Sequence, residues 1–224
     1  MKKGRICNQF KPVLIYGTGF IIFDIIDSII LNEHHGKQRK KGEWAFVNYR
    51  TMFDSMHPGF FDDPGIKNMA EDRVFAELVM DLRVSVPKPV LYPYSENITF
   101  GVYHGENEKL KEAVGRVDEE WIRYFCGKNR AFCAFDKDSI ASFCILEDWG
   151  IQEGLRIGGP GCVGTIPEYR NKGIGLEMVR RATNILSEEG FDLSWIHYTH
   201  LQHWYEKLGY QTVLEWYNRG FLPD

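Results

Sequence analysis

From Ile98 onward, apolar residues switch between the two-residue period of strands and the three-to-four-residue period of amphipathic helices. Ile98–Tyr103 reads as a strand. Glu108–Val114 and Glu119–Phe125 read as short amphipathic helices, the second capped by Asp118. Arg130–Phe135 and Ile140–Leu146 are apolar runs joined by the polar turn Asp136–Ser139, the pattern of an antiparallel hairpin. Cys162–Ile166 follows the glycine-rich segment IGGPG as a further strand. Within Gly173–Glu189, residues Met178, Val179, Ala182, Ile185 and Leu186 share one helical face, and Gly190 supplies the stop. Leu193–Tyr198 is a strand, Leu201–Leu208 a helix ended by Gly209, and Thr212–Tyr217 a last strand. The order β-α-α-β-β-β-α-β-α-β predicts an α+β fold, a sheet flanked by helices.

The first 93 residues are patterned less clearly. Val13–Tyr16 is a short β-like run leading into Gly17, Thr18 and Gly19, then an apolar stretch to Leu31; His34–Gly42 is a basic, solvated loop. Trp44–Met56 and Ala70–Leu82 have helical spacing, with Val74, Leu78, Val79 and Leu82 on one face of the second. Between them the turn cluster HPGFFDDPG holds two aromatics that read as exposed. Three prolines in Val86–Glu96 exclude a helix interior and predict an extended connector. The chain is therefore expected to comprise an additional amino-terminal α/β segment, residues 1–93, and a carboxy-terminal domain, residues 94–224. The amino-terminal segment is expected to supply an acceptor-site wall or a homodimer contact.

Charge and composition remove several classes of function. Lys and Arg number 27 against 31 Asp and Glu, a net charge of -4, which lacks the electrostatic footprint of a nucleic-acid binder. With 44% hydrophobic residues and this length, the chain can bury roughly 70% of its unfolded surface. The greasiest stretch, Phe20–Leu31, is too short to span a bilayer and carries Asp24 and Asp27. Met1–Phe10 lacks the apolar core and cleavage site of a secretion signal. The five cysteines form no CxxC pair, and several sit among apolar residues as free buried thiols do. These features predict a soluble, cytoplasmic protein with no nucleic-acid or membrane partner.

The window VGTIPEYRNKGIGL, Val163–Leu176, carries the most chemistry. A strand ends at Pro167, a basic glycine-containing loop follows, and a helix begins. Gly173 and Gly175 let backbone N–H groups approach a ligand, the helix mouth leaves several of them unpaired, and Arg170 and Lys172 add positive charge. Such a cradle suits a pyrophosphate. A plain strand-to-helix turn with a solvated basic rim is the alternative reading of the loop alone. The earlier VLIYGTGFII resembles the opening of a dinucleotide fingerprint, but Ile22 replaces its third glycine and no strand–helix alternation follows, so a nicotinamide cofactor is not expected.

A second window, WYEKLGY at Trp204–Tyr210, lies on a helix that ends at a glycine and hands over to a strand. Together the two windows resemble the GNAT superfamily of acyl-CoA-dependent N-acetyltransferases. Arg170, Gly173 and Gly175 match its Q/R-x-x-G-x-G/A motif, and Tyr205–Tyr210 matches its YEKLGF ending. The likeness is specific over about 163 to 210 and extends as element order back to about 97. It implies a GNAT-like mixed, mostly antiparallel central sheet and acetyl-CoA as co-substrate, bound where the fourth and fifth strands of that domain splay. It also implies that Arg170, Asn171, Lys172, Gly173, Ile174, Gly175 and Leu176 hold the pyrophosphate, while Thr165 and Ile166 pair with the pantetheine arm. Tyr205 would protonate the departing thiolate. Tyr198 and Leu201 stand where the family often has Asn and a small residue.

A general base is less evident. Glu147 is the first candidate, with Asp148 beside it just past the third strand of the domain, and Glu153 and Glu168 as further options. His197 suits an acceptor-site role. His200 and His203 have a spacing seen at metal sites, but lack a third ligand nearby, so no metal is expected. The expected reaction is direct attack of a primary amine, from a small molecule or a peptide amino terminus, on acetyl-CoA. The alternative is a non-catalytic acyl-CoA sensor or interaction domain.

Overall fold

The computed structural model describes residues 47–70, 73–91, 97–125 and 129–223, all within the compact unit Ala45–Asp224. The strand, Gly17–Gly19 turn, apolar stretch and basic loop expected before residue 43, with Cys7 and Cys126, lie outside the described residues. The described chain contains helices α1 (Tyr49–Met56), α2 (Pro64–Lys67), α3 (Asn107–Gly115), α4 (Ile174–Glu188) and α5 (Gln202–Glu206). Its strands are β1 (Phe75–Asp81), β2 (Ile98–Val102), β3 (Arg130–Asp136), β4 (Ser139–Gln152), β5 (Leu155–Thr165), β6 (Leu193–Thr199), β7 (Gln211–Tyr217) and β8 (Gly220–Phe221). They form one sheet in the order β2-β3-β4-β5-β6-β1-β7-β8. Every neighbouring pair is antiparallel except β5 and β6. The mixed, mostly antiparallel α+β architecture is the one expected.

Helices cover both faces. On one face α4 buries Leu176, Met178, Val179, Ala182 and Leu186 against Phe132, Cys144, Leu146, Leu78 and Ile196. On the other, α1 packs Met52 and Phe53 on Val79, Ile157, Leu193 and Trp195, and α3 packs Leu110 and Val114 on Phe143 and Ile145. Asp118 caps the expected short helix by accepting from the Glu120 amide, but Glu119–Tyr124 is a 3-10 helix. Gly190 and Gly209 adopt the left-handed conformations that end α4 and α5.

Ala70–Leu82 is not helical: Phe75–Asp81 is strand β1, inserted between β6 and β7. The reason is burial on both faces. Ala76, Leu78 and Met80 face α4 and α5 while Val79 faces α1, so the run is buried throughout without an apolar–polar alternation and mimics helical spacing. Strands β1 and β2, on either side of the extended segment around Val86, thus belong to the same sheet. Phe60 and Phe61, expected to be exposed, are partly buried against Phe53, Trp216 and Phe221.

β1 also brings a carboxylate into the core. Glu77 is fully buried, and no Lys or Arg among the described residues pairs with it. Instead it collects four N–H donors: Trp195 Nε1 at 2.7 Å, Trp216 Nε1 at 2.8 Å, His197 Nδ1 at 2.9 Å and the Tyr198 amide at 3.0 Å. Four donors to two oxygens satisfy a buried carboxylate, and they tie β1 to both strands beside it. Because a carboxylate only accepts, the His197 ring donates from Nδ1. Glu77→Leu strands two buried indole N–H groups. It is expected to lower the unfolding free energy by about 3–5 kcal/mol, measured by urea denaturation; a loss no larger than that of an average surface substitution would contradict this.

Candidate active site

β5 and β6 are parallel, and they pair only at Ile157 with Leu193 and Gly158 with Ser194 before they separate. The contact is close because Gly159 has no side chain: a Cβ there would lie 1.9 Å from the Trp195 carbonyl oxygen. Beyond it a cavity of about 520 Å³ opens, lined among others by Val163, Thr165, Gly173, Gly175, Leu176 and Tyr205. The expected splay is therefore present, formed by β5 and β6.

The helix mouth is built as the motif implied. Asn171 and Gly173 are both left-handed (φ 61° and 77°), which turns the chain from the strand into α4 with Gly173 as N-cap. Gly175 packs against Thr165, where a Cβ would lie 2.6 Å from the hydroxyl oxygen. Arg170 Nε donates to the Thr165 carbonyl at 3.0 Å and so holds the loop against the end of β5. Arg170, Asn171 and Ile174 line the cavity with the residues above. The Ile166 side chain is fully buried in the core under α3, and the Lys172 ammonium lies 5.3 Å over the Tyr169 ring.

β5 carries a bulge that sequence reading missed. Phe143 pairs with Gly164 and Ile145 with Gly161, so Cys162 and Val163 together oppose Cys144, and Cys162 has φ 46°. A bulge interrupts the ladder and frees backbone polar groups, here on the cavity wall. The sequence signal was IGGPG itself. These glycines lie within β5 because neighbours occupy their Cβ positions.

Tyr205 reaches the cavity from α5 with its ring buried. Burial pushes its phenol above the usual tyrosine range, so the hydroxyl stays protonated across the physiological range. Burial likewise pushes the Cys133 and Cys162 thiols up to about 12, which leaves them poor nucleophiles.

The acidic candidates separate sharply. β4 runs to Gln152, so Glu147 and Asp148 lie within a strand and not past its end. Successive residues face opposite ways. Asp148 pairs with Arg156 at 2.8 Å, which with the Gly150 amide holds its carboxyl below the usual range. Glu168 is solvent-exposed and paired with Arg116, and Glu153 occupies a turn with φ 50°. Glu147 alone has its carboxyl against the missing side chain of Gly161, where a Cβ would lie 2.4 Å from its carboxyl carbon. Burial raises its carboxyl to about 7, opposed by the charge of nearby His197. Beside it His57 stacks on His197, with ring centroids 4.0 Å apart. Burial and that neighbour push His57 down to about 4. His203 pairs with Glu206 at the surface, and no metal-binding group of three His, Cys, Asp or Glu occurs among the described residues.

The site thus combines an open α+β sheet, a glycine-built helix mouth and two parallel strands that diverge. Residues 127–212 match the family model "Acetyltransferase (GNAT) domain", so this stretch of the chain is similar to the GNAT acetyltransferases. Among solved structures it is similar to the GCN5-related glucosamine N-acetyltransferase region of a fungal multi-domain GH3 beta-N-acetylglucosaminidase. That match has 22% identity over 65% of this chain and 20% of that one, with a TM-score of 0.53. It is also similar to a GCN5-related N-acetyltransferase from Sphaerobacter thermophilus (17% identity, 64% and 49% covered, TM-score 0.46). A putative GNAT-family acetyltransferase from Novosphingobium aromaticivorans matches with 17% identity, 64% and 62% covered, TM-score 0.46. The chain thus spans less than two thirds of each of these proteins. No curated protein matches the sequence. No helix among the described residues is long and apolar enough to cross a membrane.

Gly161→Ala tests the placement of Glu147. The new methyl meets only the end of a flexible side chain, so the fold is expected to survive with little change in melting temperature. The displaced carboxyl is expected to gain water and titrate below 7, towards the usual range near about 4.3. Carbon-13 NMR of the carboxyl measures this, and an unchanged titration would show that Gly161 does not set the environment of Glu147.

Proposed function

We propose that the protein transfers an acetyl group from acetyl-CoA to a primary amine by direct attack in a ternary complex. The observation that carries this reading is the cavity at the α4 mouth, with the Gly173–Leu176 backbone on one side and Tyr205 on the other. The amides of Gly173, Ile174, Gly175 and Leu176 would hold the pyrophosphate, helped by the helix dipole. The end of β5 at Val163–Thr165 would lie along the pantetheine arm, its bulge offering backbone donors to the oxyanion that develops at the thioester carbonyl. Acetyl-CoA supplies the activated acyl group.

The residues of this chain then manage protons. An amine arrives as ammonium and must lose a proton before its lone pair can attack. Glu147, half-protonated near neutral pH, is matched to that task. Tyr205, kept protonated by burial, donates to the departing thiolate sulfur. With the Cys133, Cys144 and Cys162 thiols all held protonated by burial, no acyl-enzyme is required. The acceptor is a small-molecule amine or a peptide amino terminus, and glucosamine joins any trial panel because the similar fungal region carries that specificity in its name.

Thiol release measured with acetyl-CoA and a panel of amines, glucosamine included, is expected to detect turnover. Saturable acetyl-CoA binding without release on any amine would favour a non-catalytic sensor. Tyr205→Phe is expected to slow turnover about 10²-fold with acetyl-CoA affinity unchanged. Gly173→Val forces a β-branched residue into the left-handed region at about 1–2 kcal/mol, so the loop relaxes and affinity falls about 5- to 30-fold; calorimetry reads this. The pH profile of kcat/KM is expected to rise with pH and level off above about 7, since Glu147 acts as carboxylate. A profile flat between pH 5 and 8 would remove Glu147 from the mechanism.

A further inference from the structure

Resting on the coenzyme A reading of the cavity, we propose that Ser142 positions the Thr165 hydroxyl as a pure acceptor, which takes an amide N–H of the pantetheine arm. A serine hydroxyl has a single proton to donate. Ser142 Oγ lies 2.6 Å from the Gly164 carbonyl oxygen, which can only accept, so that proton points there. Ser142 Oγ also lies 3.0 Å from Thr165 Oγ1. With its own proton committed, Ser142 accepts at this second contact, and the Thr165 hydroxyl donates. Ser142 is fully buried, so bulk water does not compete for either bond.

What the Thr165 hydroxyl keeps for a ligand is therefore lone pair. Thr165 lines the cavity together with Gly175 and Trp204. Its Oγ1 sits on the Gly175 side, where a Cβ would lie 2.6 Å from that oxygen and 3.6 Å from the Trp204 ring. The last two carbonyls of β5 already accept from the protein: Gly164 from Ser142 Oγ, and Thr165 from Arg170 Nε at 3.0 Å. Thr165 Oγ1 is thus the acceptor at the strand end that receives no donor among the described residues. An acceptor-only oxygen attracts N–H groups and repels phosphate oxygens. In coenzyme A the diphosphate carries acceptors only, whereas the arm carries amide N–H groups. The site thereby sorts the molecule by polarity: the amides at the α4 mouth donate to the diphosphate, and Thr165 accepts from the arm and fixes its register along β5.

Ser142 and Thr165 also face each other across the β4–β5 ladder, so their contact ties two strands. A purely structural tie changes stability and treats every ligand alike. A directional one acts on the arm of coenzyme A, and acts through Thr165. Neutron diffraction from deuterium-exchanged crystals of the protein reads the direction itself. The Thr165 deuteron is expected to point at Ser142 Oγ, and the Ser142 deuteron at the Gly164 carbonyl. A Thr165 deuteron turned into the cavity would overturn the proposal.

Calorimetry supplies the second readout, with two probes: coenzyme A, and its adenosine diphosphate half, which keeps the ribose phosphate but has no arm. Thr165→Val keeps the shape of the side chain and removes the oxygen. It is expected to weaken coenzyme A about 3- to 10-fold and to leave the half molecule unchanged. Thr165→Ser, which restores the hydroxyl, is expected to bind coenzyme A within about twofold of the wild type. Ser142→Ala is expected to weaken coenzyme A about 2- to 5-fold and to add nothing to Thr165→Val, because it acts through that hydroxyl. Equal losses for both probes, no loss in Thr165→Val, or additive losses in the double variant would overturn the proposal. Should Ser142→Ala fail to fold, the contrast between Thr165→Ser and Thr165→Val and the neutron map still decide it. Failure of the underlying reading would show differently, as a wild-type protein that binds neither probe.

Discussion

The site depends on a parallel ladder that stops after two residues. β5 and β6 are drawn together at Ile157–Gly158 and Leu193–Ser194, then diverge, and every functional group discussed above is placed relative to that fork. Backbone groups beyond the fork lose their cross-strand partners, and such groups require others. Some turn to the protein: the Gly164 carbonyl accepts from Ser142 Oγ at 2.6 Å, and the Thr165 carbonyl from Arg170. The bulge at Cys162–Val163 leaves the rest to the cavity. The opening is therefore a structural consequence of where pairing ends, and the glycines of β5 set where it ends.

Three glycines, two in β5 and one in α4, serve one requirement. Gly159 admits the Trp195 carbonyl, Gly161 admits the Glu147 carboxyl, and Gly175 admits the Thr165 hydroxyl. The first fixes the fork, the second makes room for the Glu147 carboxyl, and the third seats the helix mouth against the strand end. Opposite them β1 contributes its carboxylate from a stretch more than 100 residues earlier in the chain, as the 118-residue separation of Glu77 from Trp195 shows. Glu77 makes this stretch part of the sheet: four N–H donors from β6 and β7 satisfy it, His197 among them.

The carboxy-terminal elements were legible because their signals are local. Alternation named β3 and the start of β4, the 3.6-residue stripe named α4, and Gly173, Gly190 and Gly209 marked ends whose positive φ values the structure shows. The motif from Arg170 to Leu176 carried its own geometry, so the cavity wall followed from the sequence. What stayed hidden depends on partners distant in sequence. β1 is buried on both faces and has no alternation to read, so Val74, Leu78, Val79 and Leu82 counterfeited a helix. The glycines of IGGPG resembled a loop because the backbone and side chains that need their space come from β4 and β6. Glu147 stood out only as one acid among several; its isolation from Arg156, which holds Asp148, is a fact of strand register. Nothing in the sequence around Glu77 pointed to Trp195, His197 and Trp216.

The measurement that bears most directly on the account is a crystal structure of the protein with coenzyme A. The expected result places the diphosphate on the amides of Gly173–Leu176, the pantetheine along Val163–Thr165 in the fork, and the sulfur within hydrogen-bonding reach of the Tyr205 hydroxyl, with Glu147 and His197 on the far side of the thioester. Coenzyme A found outside the fork, or with its diphosphate away from the α4 mouth, would contradict the account at its centre.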